Sequence, residues 1–212
     1  MMFEHGVGSR LKIGDIAVYA NAIDDRFCDR LIREFHKGFA LGEVIDGFVS
    51  NEEHDEYRSD EFLVAKDLHL YDHERWDDLS SRLHRLYILP VLRDYLADYQ
   101  HVIGENSEVD PKSCIMSLYE KDRGHFSPHQ DAVGGLVPQR SLTIICYLND
   151  VSLGGETRFF NQGFSVSPVR GSILVFPSNF VYGHIGEMPR SNDKYITVSF
   201  SSVDLGISSK IK

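Results

Sequence analysis

The chain has 212 residues, 42% hydrophobic and 25% charged, with a formal net charge of −10. That length suits one well-packed domain, and the composition is that of an ordinary soluble globular protein. The acidic balance argues against nucleic-acid binding and anionic membranes, which both call for Lys and Arg, and it suits a neutral or basic substrate.

The three cysteines, Cys28, Cys114 and Cys146, are widely spaced and form no Cys-x-x-Cys. Neither a disulfide framework nor a thiolate zinc site is expected. The N-terminal stretch has no long apolar run, and no segment approaches transmembrane length, so a cytoplasmic protein is expected.

In chain order, "LKIGDIAVYANAI" (11–23) alternates like a first strand. "DDRFCDRLIREFHKGFA" (24–40) predicts a helix capped by Asp24 or Asp25, with Phe27, Leu31, Phe35 and Phe39 as its apolar stripe. The acidic stretch 41–60 reads as a long loop or mobile hairpin, a candidate lid over a site. "EFLVAKDLHLYD" (61–72) reads as a strand. Residues 73–100 read as helical, with Trp76, Leu79, Leu83 and Leu86 as one stripe and a new turn or kink at Pro90.

From residue 113 the apolar runs become short and rich in β-branched and aromatic residues: "SCIMSLY", "SLTIICYLN", "ETRFF", "FSVSP", "SILVFP" and "KYITVSFSS". Gly, Pro and Asn-Asp punctuate them. The fold class expected is α+β, mainly β: a jelly-roll barrel with N-terminal supporting helices. No linker or repeat is visible, so 1–212 reads as one domain, with strands and helices over 1–112 and the barrel core over 113–202.

Two His-x-acid pairs occur, "HDE" at 54–56 and "HQD" at 129–131. Residues i and i+2 of a strand share a face, so His129 and Asp131 can reach one ion together. His184, in "GHIGEMP" between two apolar runs, can supply a second imidazole. Two His and one carboxylate leave positions open, the arrangement of non-heme Fe(II) oxygenases. His54 lies in the acidic loop and reads as solvated surface. On spacing alone, an iron site and a pair of hydrogen-bonded imidazoles fit His129 and His184 equally.

The ordered series "YEKDRGHFSPHQD", "RSLTIICYLND", "GGETRFF", "VSPVRGSILVFP", "GHIGEMP" and "KYITVSFS" resembles the prolyl 4-hydroxylase-like Fe(II)/2-oxoglutarate-dependent dioxygenases. The resemblance covers roughly 113–202 and implies a double-stranded β-helix. It implies His129, Asp131 and His184 as iron ligands and Lys194, ten residues after His184, as partner of the distal carboxylate of 2-oxoglutarate. Tyr119 and Tyr147 match positions whose phenols assist, and Thr143 and Thr197 are further cosubstrate candidates. Arg58, in "YRSDEF", matches a stretch near the substrate, and Arg140 matches a family arginine, so both are candidate substrate residues.

The implied reaction is hydroxylation of an unactivated C–H in an amino acid or small biosynthetic intermediate, using O2 and giving succinate and CO2, with ascorbate an optional reductant. Asp131 fills the position that halogenating relatives leave to chloride, which points to hydroxylation. A peptidyl, first of all prolyl, substrate is the alternative. A non-catalytic metal-binding barrel, or a zinc or manganese cupin-like enzyme, is the alternative of another class. The chain departs from the family in ending "KYITVSFSS" with Phe200 and no Trp, and in "GHIGEMP". A monomer or homodimer with no nucleic-acid or membrane partner is expected.

Overall fold

The computed structural model of the chain describes residues 8–50, 56–101, 108–109, 114–132 and 140–202. The first strand expected over 11–23 is instead a hairpin. β1 (Ser9–Ile13) pairs with β2 (Ile16–Ala20) in register Ile13 to Ile16, turning at Gly14-Asp15. The alternation was continuous only because both arms of the hairpin alternate.

Helix α1 (Asp25–Ala40) begins at Asp24, whose side chain accepts from the Phe27 amide. Phe27, Leu31 and Phe35 are buried, but Phe39 is 58% exposed. A four-residue step overshoots one helical turn by about 40°, so three steps carry Phe39 about 120° off the stripe. Gly38 takes the buried place, where a Cβ would lie 2.9 Å from the Leu68 side chain.

The stretch 41–60 is not all loop. It holds β3 (Ile45–Asp46), β4 (Val49–Ser50) and β5 (Glu56–Tyr57); His54 lies outside the described residues. The strand expected at 61–72 divides at Ala65 into β6 (Leu63–Val64) and β7 (Lys66–His69). These belong to different sheets, so the chain closes one edge of the barrel there.

The helical stretch 73–100 contains α2 (Asp77–Leu83), a π turn (His84–Ile88) and α3 (Leu89–Ala97). Pro90 cannot donate a backbone bond, and the wider turn just before it accommodates that loss. The extra residue also rotates the stripe: Leu86 is 44% exposed, while Tyr87 and Ile88 are buried.

The remaining strands are β8 (Glu108–Val109), β9 (Ile115–Tyr119), β10 (His125–His129), β11 (Leu142–Tyr147), β12 (Thr157–Phe159), β13 (Phe164–Val166), β14 (Ile173–Pro177), β15 (His184–Gly186) and β16 (Lys194–Ser202). A large antiparallel sheet runs β1-β2-β14-β11-β16-β9-β7-β3, with β8 on β16, and a smaller one runs β13-β12-β15-β10-β6. This is the expected jelly roll. Alternation divides the core in two. Leu142, Ile144 and Cys146 of β11 pack under the helices, whereas Ile145 and Tyr147 point between the sheets. Among the described residues, no helix is long and apolar enough to cross a membrane.

Candidate metal and cosubstrate site

His129 ends β10 and faces His184, the first residue of β15, directly across the pair; their ring centroids are 4.3 Å apart. The register shifts between Phe126 and His129. Residues three apart on a regular strand would face opposite sides. The irregularity brings both rings to one side, where Phe126 stacks on His129 with centroids 3.5 Å apart. Asp131 follows two residues later, and the Ala132 amide bonds the Ser178 carbonyl, 2.9 Å, to hold the turn.

His129 Nε2 lies 3.7 Å from Asp131 Oδ1, and His184 Nε2 lies 3.7 Å from Asp131 Oδ2. One ligand atom from each residue falls within 4.8 Å of the others. His129 Nδ1 donates to the Ser127 carbonyl at 2.8 Å and His184 Nδ1 to the Tyr182 carbonyl at 3.2 Å. A carbonyl only accepts, so Nδ1 carries the proton and each Nε2 lone pair turns inward. Burial holds the His129 imidazole down to about 4, helped by His184 and opposed by Asp131, so it is neutral at pH 7. Two imidazoles and a carboxylate sharing one point are a donor set for a divalent ion of the iron type. Thr143 Oγ1 donates to Asp131 Oδ2 at 2.8 Å and also meets Ser178 Oγ at 2.8 Å, which fixes the carboxylate.

These groups line a cavity of about 470 Å³ between the two sheets, and Lys194 lines it too. Lys194 is 2% exposed. Its Nζ bonds the Gly155 carbonyl at 3.0 Å and lies 4.5 Å from the ring centroid of Tyr119, its cross-strand partner. Gly154 and Gly155 have φ of +72° and +78°, so this turn uses the conformation that glycine tolerates best. Burial lowers the Lys194 ammonium to about 8, with Glu156 and Glu187 acting in the opposite sense. Among the described residues no carboxylate forms an ion pair with it. A buried ammonium in a cavity wall, short of an anion, fits a dicarboxylate's far end.

The other sequence candidates divide. Tyr119 lines the cavity, and burial raises its phenol well above the ordinary value. Tyr147 meets Thr157 Oγ1 at 2.7 Å, and Thr157 lines the cavity. Thr143 bears on Asp131. Thr197 stands on the other face of β16, opposite Cys146 and under the helices, because it is odd-numbered where Lys194, Ile196 and Val198 face inward. Arg140 lines the cavity, with its guanidinium 3.8 Å over the Phe200 ring and Nη1 donating to the Asp131 carbonyl at 3.4 Å. Arg58 does not reach that cavity: it pairs with Asp46 at 3.3 Å and lines a smaller one of about 170 Å³.

Sequence reasoning missed Asp67, His69 and Tyr71, which also line the main cavity. Their signal was present as polar and aromatic residues at alternate positions of "KDLHLY".

Residues 114–201 match the model of the 2OG-Fe(II) oxygenase superfamily. That match spans 88 of the 212 residues, the strand-rich half of the chain. The chain shares its fold with solved prolyl hydroxylases. A prolyl hydroxylase from Trichoplax adhaerens, solved with a hypoxia inducible factor peptide fragment, superposes with TM-score 0.64 at 16% identity, covering 88% of this chain and 83% of that one. A Pseudomonas putida prolyl-4-hydroxylase gives 0.60 at 18%, over 88% and 91%. The viral collagen prolyl hydroxylase of Paramecium Bursaria Chlorella virus-1, as its 2OG complex, gives 0.57 at 18%, over 88% and 94%. No curated protein matches significantly. The chain is thus a 2-oxoglutarate-dependent dioxygenase that uses Fe(II) and O2.

Proposed function

We propose that His129, Asp131 and His184 hold the Fe(II), that Lys194 takes the distal carboxylate of 2-oxoglutarate, and that the enzyme hydroxylates an unactivated C–H of an amino acid or small biosynthetic intermediate. One observation carries this reading: the cavity has a His-Asp-His cluster and, in the same wall system, a buried ammonium that lacks a carboxylate. When bound, the iron and cosubstrate supply the oxidising chemistry, in which O2 places one oxygen in the new hydroxyl and one in succinate as CO2 leaves.

The chain's own residues position and protect. The Ser127 and Tyr182 carbonyls fix the imidazole tautomers, and Thr143 fixes the Asp131 carboxylate. Lys194 makes a point contact rather than a fork, so it needs helping hydroxyls, which Tyr119 and Thr157 offer. Phe126 covers one face of His129 and keeps water from it. Residues 1–212 act as one unit in this reading, with the helices bracing the large sheet.

The test is an anaerobic titration of the protein with Fe(II) and 2-oxoglutarate, followed by visible absorption. A weak charge-transfer band that needs both components, and is lost in His129→Ala and Asp131→Ala, is the expected result. Metal binding without that band would overturn the cosubstrate assignment.

A further inference from the structure

Two more charged side chains line the main cavity, Asp67 buried and Arg140 partly buried, and neither belongs to the iron triad or pairs with Lys194. Asp67, on β7, is 8% exposed. One of its oxygens is bonded by the Ser117 side chain, while Oδ1 has no hydrogen-bond partner among the described residues. Among the described residues no Lys or Arg forms an ion pair with it. Arg140, two residues before β11, has no carboxylate side chain in ion-pair contact among the described residues, and meets the Asp131 carbonyl and the Phe200 face. A buried carboxylate without a cation is costly, and a partly buried guanidinium that feels the Asp131 charge without ion-pair contact is under-compensated. Both costs fall when a ligand brings the missing charges into the cavity.

The two sites are set apart. His69 stands about 7 Å beyond Asp67 along the strand, two residues at the rise of an extended chain. Through Ser117 of β9, Asp67 lies level with Ile196 of β16, whereas Arg140 sits over Phe200, four residues or about 13 Å further along that strand. The ammonium and carboxylate of one amino-acid head group are neighbours on a single carbon and do not span that row. A charge at the end of a long side chain does. Phe48 and Tyr119 also line the cavity, and aromatic faces favour a cation.

We propose that the substrate is a free basic α-amino acid, with its side-chain ammonium or guanidinium on Asp67 and its α-carboxylate on Arg140. This rests on the oxygenase reading of the same cavity. Burial lifts the Asp67 carboxyl to about 6, so it is an anion at neutral pH. The net charge of −10 favours a cationic substrate in the same sense.

The test uses L-lysine, L-ornithine and L-arginine against their uncharged or decarboxylated counterparts. These are L-norleucine, L-norvaline and L-citrulline, which lack the side-chain charge, and cadaverine, putrescine and agmatine, which lack the carboxylate. Succinate formation is read on the iron enzyme, and binding is read by saturation-transfer NMR on zinc-substituted protein with 2-oxoglutarate.

At least one basic amino acid is expected to stimulate succinate formation and to bind at least about tenfold more tightly than its neutral counterpart, as for loss of one charged contact. Asp67→Asn is expected to erase the preference over the neutral counterpart, and Arg140→Met the preference over the amine. Equal binding of neutral and basic forms, or no stimulation by any of the three, overturns the proposal. If Asp67→Asn fails to fold, the comparison on the unaltered enzyme decides. Failure of the Fe(II) and 2-oxoglutarate band to form would instead overturn the oxygenase reading of the cavity, so the two failures are distinct.

Discussion

The two faces of the large sheet are made from the same strands and do different work. On β16, Lys194, Ile196, Val198 and Phe200 look into the cavity, while Thr197, Ser199 and Ser201 are buried on the other side. On β11, Thr143 reaches the Asp131 carboxylate, while Leu142, Ile144 and Cys146 join the core that the helices cover. The helix face carries the larger apolar core, with the Thr197 and Ser199 hydroxyls buried beside it. The cavity face keeps Asp67 and Lys194 buried with no oppositely charged side chain in ion-pair contact among the described residues. A period of two lets one strand brace the fold and furnish a site at once, and it makes neighbouring residues differ sharply in what their loss does.

That contrast can be broken most decisively at the cavity face. Asp131→Ala is expected to abolish turnover, a larger loss than the ~10–100-fold of an outer-shell change, with little change in the melting temperature measured without metal. Lys194→Met removes a buried cation. It is expected to weaken 2-oxoglutarate binding by about 3–5 kcal/mol, as for loss of one partner of a buried pair, while thermal stability without ligand holds or rises. Calorimetric titration and a melting curve check the two halves.

The same lysine sets a pH dependence. Its folded-state value of about 8 lies below the ordinary 10.5. The unfolded chain therefore binds more protons between pH 8 and 10.5, and unliganded stability contributed by this group rises with pH through that window. Affinity for 2-oxoglutarate runs the other way and falls as pH rises above about 8, because the ammonium is lost. Titrations at pH 7 and pH 9 with zinc in the metal site test the sign.

On the helix face, Leu31→Ala empties a fully buried position. It is expected to cost about 2–5 kcal/mol of stability, with kcat unchanged at temperatures where the variant is folded. Thr143→Val, back in the cavity, is expected to cost ~10–100-fold in metal affinity, since the hydroxyl orients a ligand. Thr197→Val is the smallest effect. It lies one residue from cavity-lining positions yet faces the helices, and less than about 1 kcal/mol of stability and no change in 2-oxoglutarate affinity are expected.

Much of this was legible in local pattern. Six of the eight strands from 115 to 202 fall where short β-branched and aromatic runs predicted them, while β10 and β15, which carry His129 and His184, lie outside those runs; Asp24 caps α1 as its residue type suggests. Where the reading failed, a three-dimensional count was at fault. Phe39 and Leu86 were assigned to stripes by spacing, and helical drift and a π turn carried them to the surface. Thr197 was a cosubstrate candidate like Lys194, although three residues along a strand means the opposite face.

The sequence by itself determined the donor types and their order, because metal and anion chemistry restricts which side chains can serve, and it determined the strand-rich half through alternation. Tertiary structure alone decided that His129 meets His184, since their pairing spans 55 residues and depends on the register of β10 on β15. It alone decided that Arg58 stays outside the cavity and that Asp67 lies within it. Burial and the absence of a nearby cation are properties of the packed barrel. They turn Asp67, one of 32 acidic residues in the chain, into a site.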